Sequence, residues 1–311
     1  MKKFNDISFR PNTLEDFQGQ DKVKKALNIY IKAAKVRGDC LDHTIIYGTS
    51  GCGKTTLANV IANEMKANLR EYSAPAIKKV SDIIDILLNI NEGDILFIDE
   101  IHRLNSKCEE QLFIAMEQFV VDADSEEGRV DLPHFTLLGA TTSHGMLSEP
   151  FRNRFQISIE LTPYKVDHMT KIVKNSFSRI NTEIDDKCAE MIAGRSRGIP
   201  RVANGFVRRV KDFAIVLNNG EINESIVEDT FAVLEIDSLG LTKQDHRYLH
   251  VLTHEFRGKS VGIDLLAAAL NDDKTTLENA VEPYLMQKDL VRRTARGRIA
   301  TEKAYEIMKD K

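Results

Sequence analysis

No apolar run in this chain approaches the roughly 20 residues that a membrane-spanning helix needs. The longest, such as Ile95–Ile98 and Leu265–Leu270, are far shorter. The opening MKKFNDISFR has two lysines but no apolar stretch behind them, so no secretory signal is expected and the expected compartment is the cytoplasm. Cysteine is scarce. Cys40, Cys52, Cys108 and Cys188 lie far apart with no CxxC pair, which excludes a disulfide framework or a zinc ribbon and leaves free thiols as the reading. Repeats and low-complexity tracts are missing. So is an excess of positive charge: 43 Lys+Arg against 47 Asp+Glu gives −4, which argues against a wholly basic nucleic-acid binder.

What is present is core-forming material. The 311 residues are 42% hydrophobic and 29% charged, enough for two or three domains. Charge is uneven: from Ser238 onward there are 13 Lys+Arg and 11 Asp+Glu, against 30 and 36 before it. Val23, Leu27, Tyr30, Ile31 and Ala34 form a helical stripe. HTIIYG reads as a strand and turn, Gly53–Met65 as a helix, GDILFID as a second strand, Ser106–Gln118 as a polar helix and FTLLGATT as a third strand. This alternation predicts an α/β domain with a parallel sheet. Residues 165–234 have helical patterns and no clear strand, and Asp237–Leu241 reads as a linker. Thr242–Phe256, Leu265–Leu270 and Thr275–Met286 are helical, and Leu290–Thr294 and Arg298–Thr301 are β-type. Three helices and a hairpin describe a winged helix. The expected division is 1–164, 165–236 and 237–311.

Gly48-Thr49-Ser50-Gly51-Cys52-Gly53-Lys54-Thr55 fits G-x-x-x-x-G-K-[ST]. The glycines let backbone N–H groups turn inward onto phosphate oxygens, and the following helix points its positive end at them. Lys54 then reaches the β/γ-phosphates and the Thr55 hydroxyl ligates Mg²⁺. A P-loop needs an acid at the end of a second buried strand. DILFIDE supplies Asp99 for the metal's water shell and Glu100 as a general base for water. The third strand ends in Thr141 and Thr142, where a polar residue can bond the γ-phosphate or the water, though threonine is also simply a good strand residue. Arg152 and Arg154, after Pro150, suit either a solvated face or a finger entering a neighbour's site. Arg201, in GIPR at a helix start, is placed to sense the γ-phosphate.

The P-loop, DEIHR, GATT, RNRF and GIPR together resemble an AAA+ ATPase. Phe9-Arg10-Pro11, DFQGQ at 16–20, FIDEIHRL at 97–104, RSRGIPRVAN at 195–204, EPYL at 282–285 and RTARGRIA at 293–300 narrow the resemblance to the RuvB family of Holliday-junction branch-migration motors. The resemblance implies a large AAA+ ATPase domain, a small helical lid domain and a C-terminal winged-helix domain. It implies a homohexameric, ATP-driven, DNA-dependent motor on duplex DNA at four-way junctions, serving recombination, repair and the SOS response, with RuvA as junction-binding partner and RuvC as resolvase. Carried over residue by residue, Phe9 and Arg10 contact the adenine side of ATP or ADP. Gly51, Gly53, Lys54, Thr55 and Thr56 hold phosphates and Mg²⁺, with Asp99 on the metal. Glu117, Gln118, Phe119, Tyr164 and Arg201 complete the pocket. Glu100, Thr142, Lys54 and Arg154 serve hydrolysis, Arg154 as the finger. Arg293 and Arg298 contact DNA, with Lys274 a weaker candidate. Two departures stand out. TSGC puts the Cys52 thiol in the phosphate cradle, so thiol alkylation is expected to block turnover. The segment Val120–Pro133 is short and acidic, and lacks the apolar tip with which the family docks RuvA.

Arg292-Arg293-Thr294-Ala295-Arg296-Gly297-Arg298 holds four arginines and no acid. Guanidinium forks on a wing suit phosphate oxygens, without base readout. No aromatic is interleaved, so single-strand stacking is not favoured. Arg195–Lys211 is a second basic cluster, better suited to packing or solvent. His246, His250 and His254 recur at a metal-compatible spacing, but no fourth ligand is evident. A clamp-loader or initiator switch is the rival reading; the P-loop cannot separate it from a motor, but the C-terminal wing can. A protein-remodelling ATPase would need an aromatic pore loop, which is absent.

Overall fold

The computed structural model describes residues 8–122 and 128–309. The chain divides into two compact units: residues 1–182 with 198–205, and residues 183–197 with 206–311.

The first unit contains α1 (Asp21–Arg37), β1 (Thr44–Gly48), α2 (Lys54–Met65), β2 (Leu69–Ser73), α3 (Val80–Leu88), β3 (Ile95–Asp99), α4 (Ser106–Gln118), β4 (Val120–Asp122), β5 (Arg129–Asp131), β6 (Thr136–Thr141), α5 (Glu149–Arg152), β7 (Ile157–Leu161) and α6 (Val166–Arg179). Its main sheet has the order β2-β3-β6-β1-β7 and every pairing in it is parallel. Central β6 is buried at every position, as expected for a strand covered on both faces. Edge strand β7 alternates instead: Ile157, Ile159 and Leu161 are buried, Ser158 and Glu160 exposed. LREYS in β2 is also only partly buried. Both edges therefore lack the continuous apolar run that marked β1, β3 and β6. The order also brings the C-terminal ends of β1, β3 and β6 together, where ligands bind in open α/β sheets. A short antiparallel hairpin, β4 with β5, leaves the end of α4. The tip of the acidic segment, 123–127, lies outside the described residues.

The second unit contains α7 (Asp186–Arg195), most of α8 (Pro200–Leu217), α9 (Glu224–Val233), α10 (Lys243–His250), α11 (Ile263–Leu270), α12 (Lys274–Thr276), α13 (Glu282–Gln287), β8 (Val291–Thr294), β9 (Gly297–Ala300) and α14 (Glu302–Lys309). Wide π-type turns extend α10 through Val251–Glu255 and join α12 to α13 through Leu277–Val281. β8 and β9 form the antiparallel wing, with Arg293 opposite Arg298. Tyr248, Leu249, Leu266, Leu277, Leu285 and Leu290 form the core beneath it.

A polar knot sits at the start of this head. Asp245 is 1% exposed and accepts from the Thr242 N–H (2.7 Å) and hydroxyl (2.6 Å), and from Arg197. Arg197 also donates to the Gly240 carbonyl at 2.9 Å and lies 4.5 Å over the Tyr284 ring.

Candidate active site

β1 delivers the chain to Gly48, and α2 begins at Lys54. Between them Gly51 has φ +82°, and a Cβ there would meet the Ile199 methyl at 2.8 Å and the Arg201 Cβ at 3.0 Å. Glycine is required both by that backbone and by that approach. The contact brings GIPR onto the loop: the Arg201 N–H donates to the Gly51 carbonyl and its guanidinium to the Ser50 hydroxyl, each at 3.3 Å. The Lys54 ammonium donates to the carbonyls of Gly48 (2.8 Å) and Thr49 (3.3 Å). Burial lowers its pKa, and the nearby charges of Glu100 and Asp99 oppose that shift.

Ile95–Ile98 are fully buried, which fixes Asp99 at the strand end. The Glu100 N–H donates to Asp99 Oδ1 at 2.9 Å. Glu100 itself has φ +51°, a left-handed backbone uncommon for a residue other than glycine. Its Oε2 accepts from the Thr142 hydroxyl at 3.2 Å and lies 3.3 Å from His102 Nδ1. The pairing of β3 with β6 sets Ile98 beside Gly139, so these two strand ends emerge together. The two threonines are thereby distinguished. Thr142 faces Glu100, whereas Thr141 is buried, with its hydroxyl 2.8 Å from His102 Nδ1 and accepting from the Ser143 N–H.

Beside the loop is a cavity of about 310 Å³ whose lining includes Phe9, Arg10, Phe17, Gly53, Thr56, Tyr164, Asn175, Arg179 and Asn204. The N-terminal strap is held over it by Arg179, which donates to the carbonyls of Arg10 (2.6 Å) and Ser8 (3.3 Å). The Tyr164 hydroxyl donates to the Cys52 carbonyl at 3.2 Å, and burial pushes its pKa upward, so it stays a donor. Cys52 lines the same wall, yet the residue is 0% exposed and burial raises its thiol pKa. A buried, protonated thiol reacts slowly, so the burial of Cys52 weighs against the ready alkylation expected from TSGC.

In the winged helix, Glu282 is 0% exposed. Its carboxylate accepts from Arg293 Nε (2.7 Å), Arg298 Nε (2.9 Å) and the Tyr248 hydroxyl (2.9 Å). Arg298 also bonds Glu278 at 2.7 Å, and its side chain is only 12% exposed. Lys274 pairs with Asp264 at 3.1 Å. Among the described residues no group of three or more His, Cys, Asp or Glu is arranged to hold a metal. His246 bonds Asp237, and the His250 and His254 rings stack at 4.4 Å.

Three family models match along the chain: the Holliday junction DNA helicase RuvB P-loop domain over residues 9–161, the RuvB AAA lid domain over 164–237 and the RuvB C-terminal winged helix domain over 238–309. A solved structure of Thermotoga maritima RuvB, described as a Holliday junction branch migration motor, is 45% identical. The match covers 97% of this chain and 98% of that one, with TM-score 0.87. A single-residue variant of the same protein matches at 45% identity with TM-score 0.88 and the same coverage. The chain belongs to the RuvB family. It is thus a P-loop AAA+ ATP hydrolase of the Holliday-junction branch-migration class, built from P-loop, lid and winged-helix domains. No helix among its described residues is long and apolar enough to cross a membrane.

The structure of this RuvB-family chain gathers most of the expected pocket. Phe9, Arg10, Gly53, Thr56 and Tyr164 line the cavity. Gly51, Lys54 and Thr55 belong to the loop and the helix it starts, Arg201 bonds the loop, and Lys54 feels the charges of Asp99 and Glu100. Glu117, Gln118 and Phe119 are not in the cavity lining. They end α4, where Glu117 pairs with Arg154 at 2.8 Å, Gln118 accepts from Arg129, and Phe119 packs on His134 and Phe135. Arg154 lies 4.6 Å over the Phe113 ring. The structure thus groups the expected finger with residues expected in the pocket, away from this chain's own cavity. His102, Asn175, Arg179 and Asn204 were not expected from the sequence. DEIHR contained His102 and RSRGIPRVAN ended in Asn204, but nothing in the spacing of Asn175 and Arg179 marks them.

Proposed function

We propose that this chain is one subunit of a homohexameric RuvB ring that binds ATP between neighbours and draws duplex DNA through a four-way junction. The carrying observation is the Glu100–Thr142 contact at 3.2 Å beside Lys54, an acid and a hydroxyl placed to align a water against a terminal phosphate. Thr55 and Asp99 offer the hard oxygen donors that suit Mg²⁺, a metal usually held by one or two protein ligands and the substrate's phosphates. When bound, the metal would neutralise charge on the β- and γ-oxygens. Glu100 accepts the water's proton. Lys54 shifts from its carbonyl partners to the phosphates, and Arg201 follows the γ-phosphate from its seat on Gly51 and Ser50.

Arg154 completes the neighbour's site, and Glu117–Phe119 reach that site from the same face. Their grouping with Arg154 outside this chain's own cavity supports that reading. An arginine finger contributes about 10³–10⁵ in rate. Head-to-tail contacts of this kind close into rings. We extend the proposal to ADP as product, to RuvA as loading partner, to RuvC as resolvase on the same junction, to recombination, repair and SOS roles in the cytoplasm, and to domain limits of 1–164, 165–236 and 237–311. The heads, carrying Arg293, Arg298 and Lys274, grip duplex backbone. Strand exchange on a synthetic four-way junction, with ATP and with or without RuvA, tests the proposal. Wild-type protein should exchange strands and Lys54→Ala should neither exchange nor hydrolyse. Hydrolysis by Lys54→Ala at the wild-type rate would refute the site.

A further inference from the structure

The charge on the wing is smaller than its four arginines suggest. Arg293 and Arg298 converge on Glu282, with Glu278 against Arg298, and Arg292 is paired with Asp289. Three of the four cations are therefore matched by three acids. A neutralised cation attracts the phosphate backbone weakly, because counterion release scales with the phosphates actually neutralised.

A different set of head cations has no acid partner among the described residues. Arg296 is exposed at the turn between β8 and β9, while Arg257 and Lys259 are exposed on the loop Arg257-Gly258-Lys259-Ser260. This loop lies against the wing. The Ser260 and Thr294 hydroxyls are 2.9 Å apart, and Val261 exchanges two backbone hydrogen bonds with Arg298, at 2.9 and 2.7 Å. A Cβ on Gly297 would stand 2.2 Å from the Val261 carbonyl, so the approach needs glycine. The loop is in effect a third strand at the wing's edge, placing two cations of residues 257–259 beside the turn that carries a third. Glu255 is the acid nearest in sequence, and it leaves the cluster positive. Arg257 donates only to the His254 carbonyl in the turn before its loop, at 3.4 Å, whereas Arg247 and Lys303, other head cations without an acid partner, reach the carbonyls of Leu270 and Lys288 on distant elements.

We propose that Arg257, Lys259 and Arg296 form a second phosphate-contacting patch, which supplies the net charge that draws the head onto duplex DNA. It acts beside Arg293 and Arg298, whose charge Glu282 and Glu278 partly offset. This inference rests on the reading that the head binds DNA. The patch presents charge and no base-reading constellation, so its contribution is the same for every sequence.

The test uses full-length protein with nucleotide and magnesium, a fluorescein-labelled duplex, and anisotropy titrations across about 0.05–0.2 M salt. The triple variant Arg257→Ala, Lys259→Ala, Arg296→Ala should melt at the wild-type temperature. It should bind about tenfold or more weakly at the middle of that range, for all duplex sequences, with a salt slope shallower by about 0.9 for each phosphate it no longer neutralises. Lys259→Arg with Arg296→Lys should retain binding, and Lys303→Ala should change neither affinity nor slope. Wild-type affinity and slope in the triple variant would overturn the inference while leaving DNA binding by the head intact. An equal loss in Lys303→Ala would overturn it too, since general charge would then be the cause. If wild-type protein itself failed to bind duplex, the DNA reading would fall first.

Discussion

His43 is a titratable side chain kept neutral by its surroundings. Its Nδ1 accepts the Leu137 N–H at 2.8 Å and its Nε2 lies 3.3 Å from the Met116 carbonyl, so one imidazole ties β1, β6 and α4 together. Burial lowers its pKa to about 4 from the ordinary 6.5. Above the unfolded value neither state binds the proton, and the contribution to stability is whole. As pH falls from about 6.5 toward 4, the unfolded chain takes up a proton that the folded chain refuses, and stability is lost. Between pH 7.5 and 5 this one residue should cost about 2 kcal/mol. Urea midpoints across that range should fall in wild type and fall less in His43→Gln, whose amide can accept one bond and donate the other. Parallel slopes would contradict the assignment. None of this was legible in the sequence, where His43 only opened the HTIIYG strand; its two partners lie 73 and 94 residues away. Thr142 shows the reverse. Its position at a strand end was readable, and only the choice between it and Thr141 required the structure.

At the scale of an element, the wing shows what a local window misses. Arg292–Arg298 contains no acid, so the segment reads as free positive charge. Glu278 and Glu282 enter from the turn and helix before β8, and Glu282 stands 16 residues from Arg298 and 11 from Arg293. Arg298→Ala would leave Glu282, at 0% exposure, with Arg293 and Tyr248 but short of one of its two cations. Removing one side of a buried ion pair typically costs about 3–5 kcal/mol. The head of Arg298→Ala should therefore melt several degrees below wild type, while Arg296→Ala should melt with it; scanning calorimetry separates them. An Arg298→Ala protein that melts with wild type would contradict the ion-pair assignment. The helices of the head were readable from periodicity, but their π-type turns at Val251–Glu255 and Leu277–Val281 were not, because a one-residue widening leaves the apolar stripe almost unchanged. The edge strands β2 and β7 went unseen because a half-covered strand shows less apolar residue per unit length.

At the scale of the whole molecule, the motifs carried the plan. A P-loop, an acid pair and a wing, in that order, predicted an α/β domain, a helical stretch and a winged helix, and the family resemblance made the helical stretch a lid. The motifs did not show that α6 belongs to one compact unit while α7, α9 and most of α8 belong to the other, since the seam follows three-dimensional packing. The proposed ring gives a prediction that no single subunit can answer. Arg154→Ala and Glu100→Gln should each abolish hydrolysis alone. Mixed in equal amounts and allowed to exchange, they should recover about a quarter of wild-type turnover, because one interface in four joins an intact Glu100 to an intact Arg154. A mixture as inactive as its parents would remove the shared site. The left-handed backbone at Glu100 bears on the protein's wider prospects. A strained φ of this kind costs of order 1 kcal/mol that glycine would not incur. Selection for heat resistance alone would drift toward Glu100→Gly, and would arrive at a sturdier protein without the carboxylate that the proposed reaction needs.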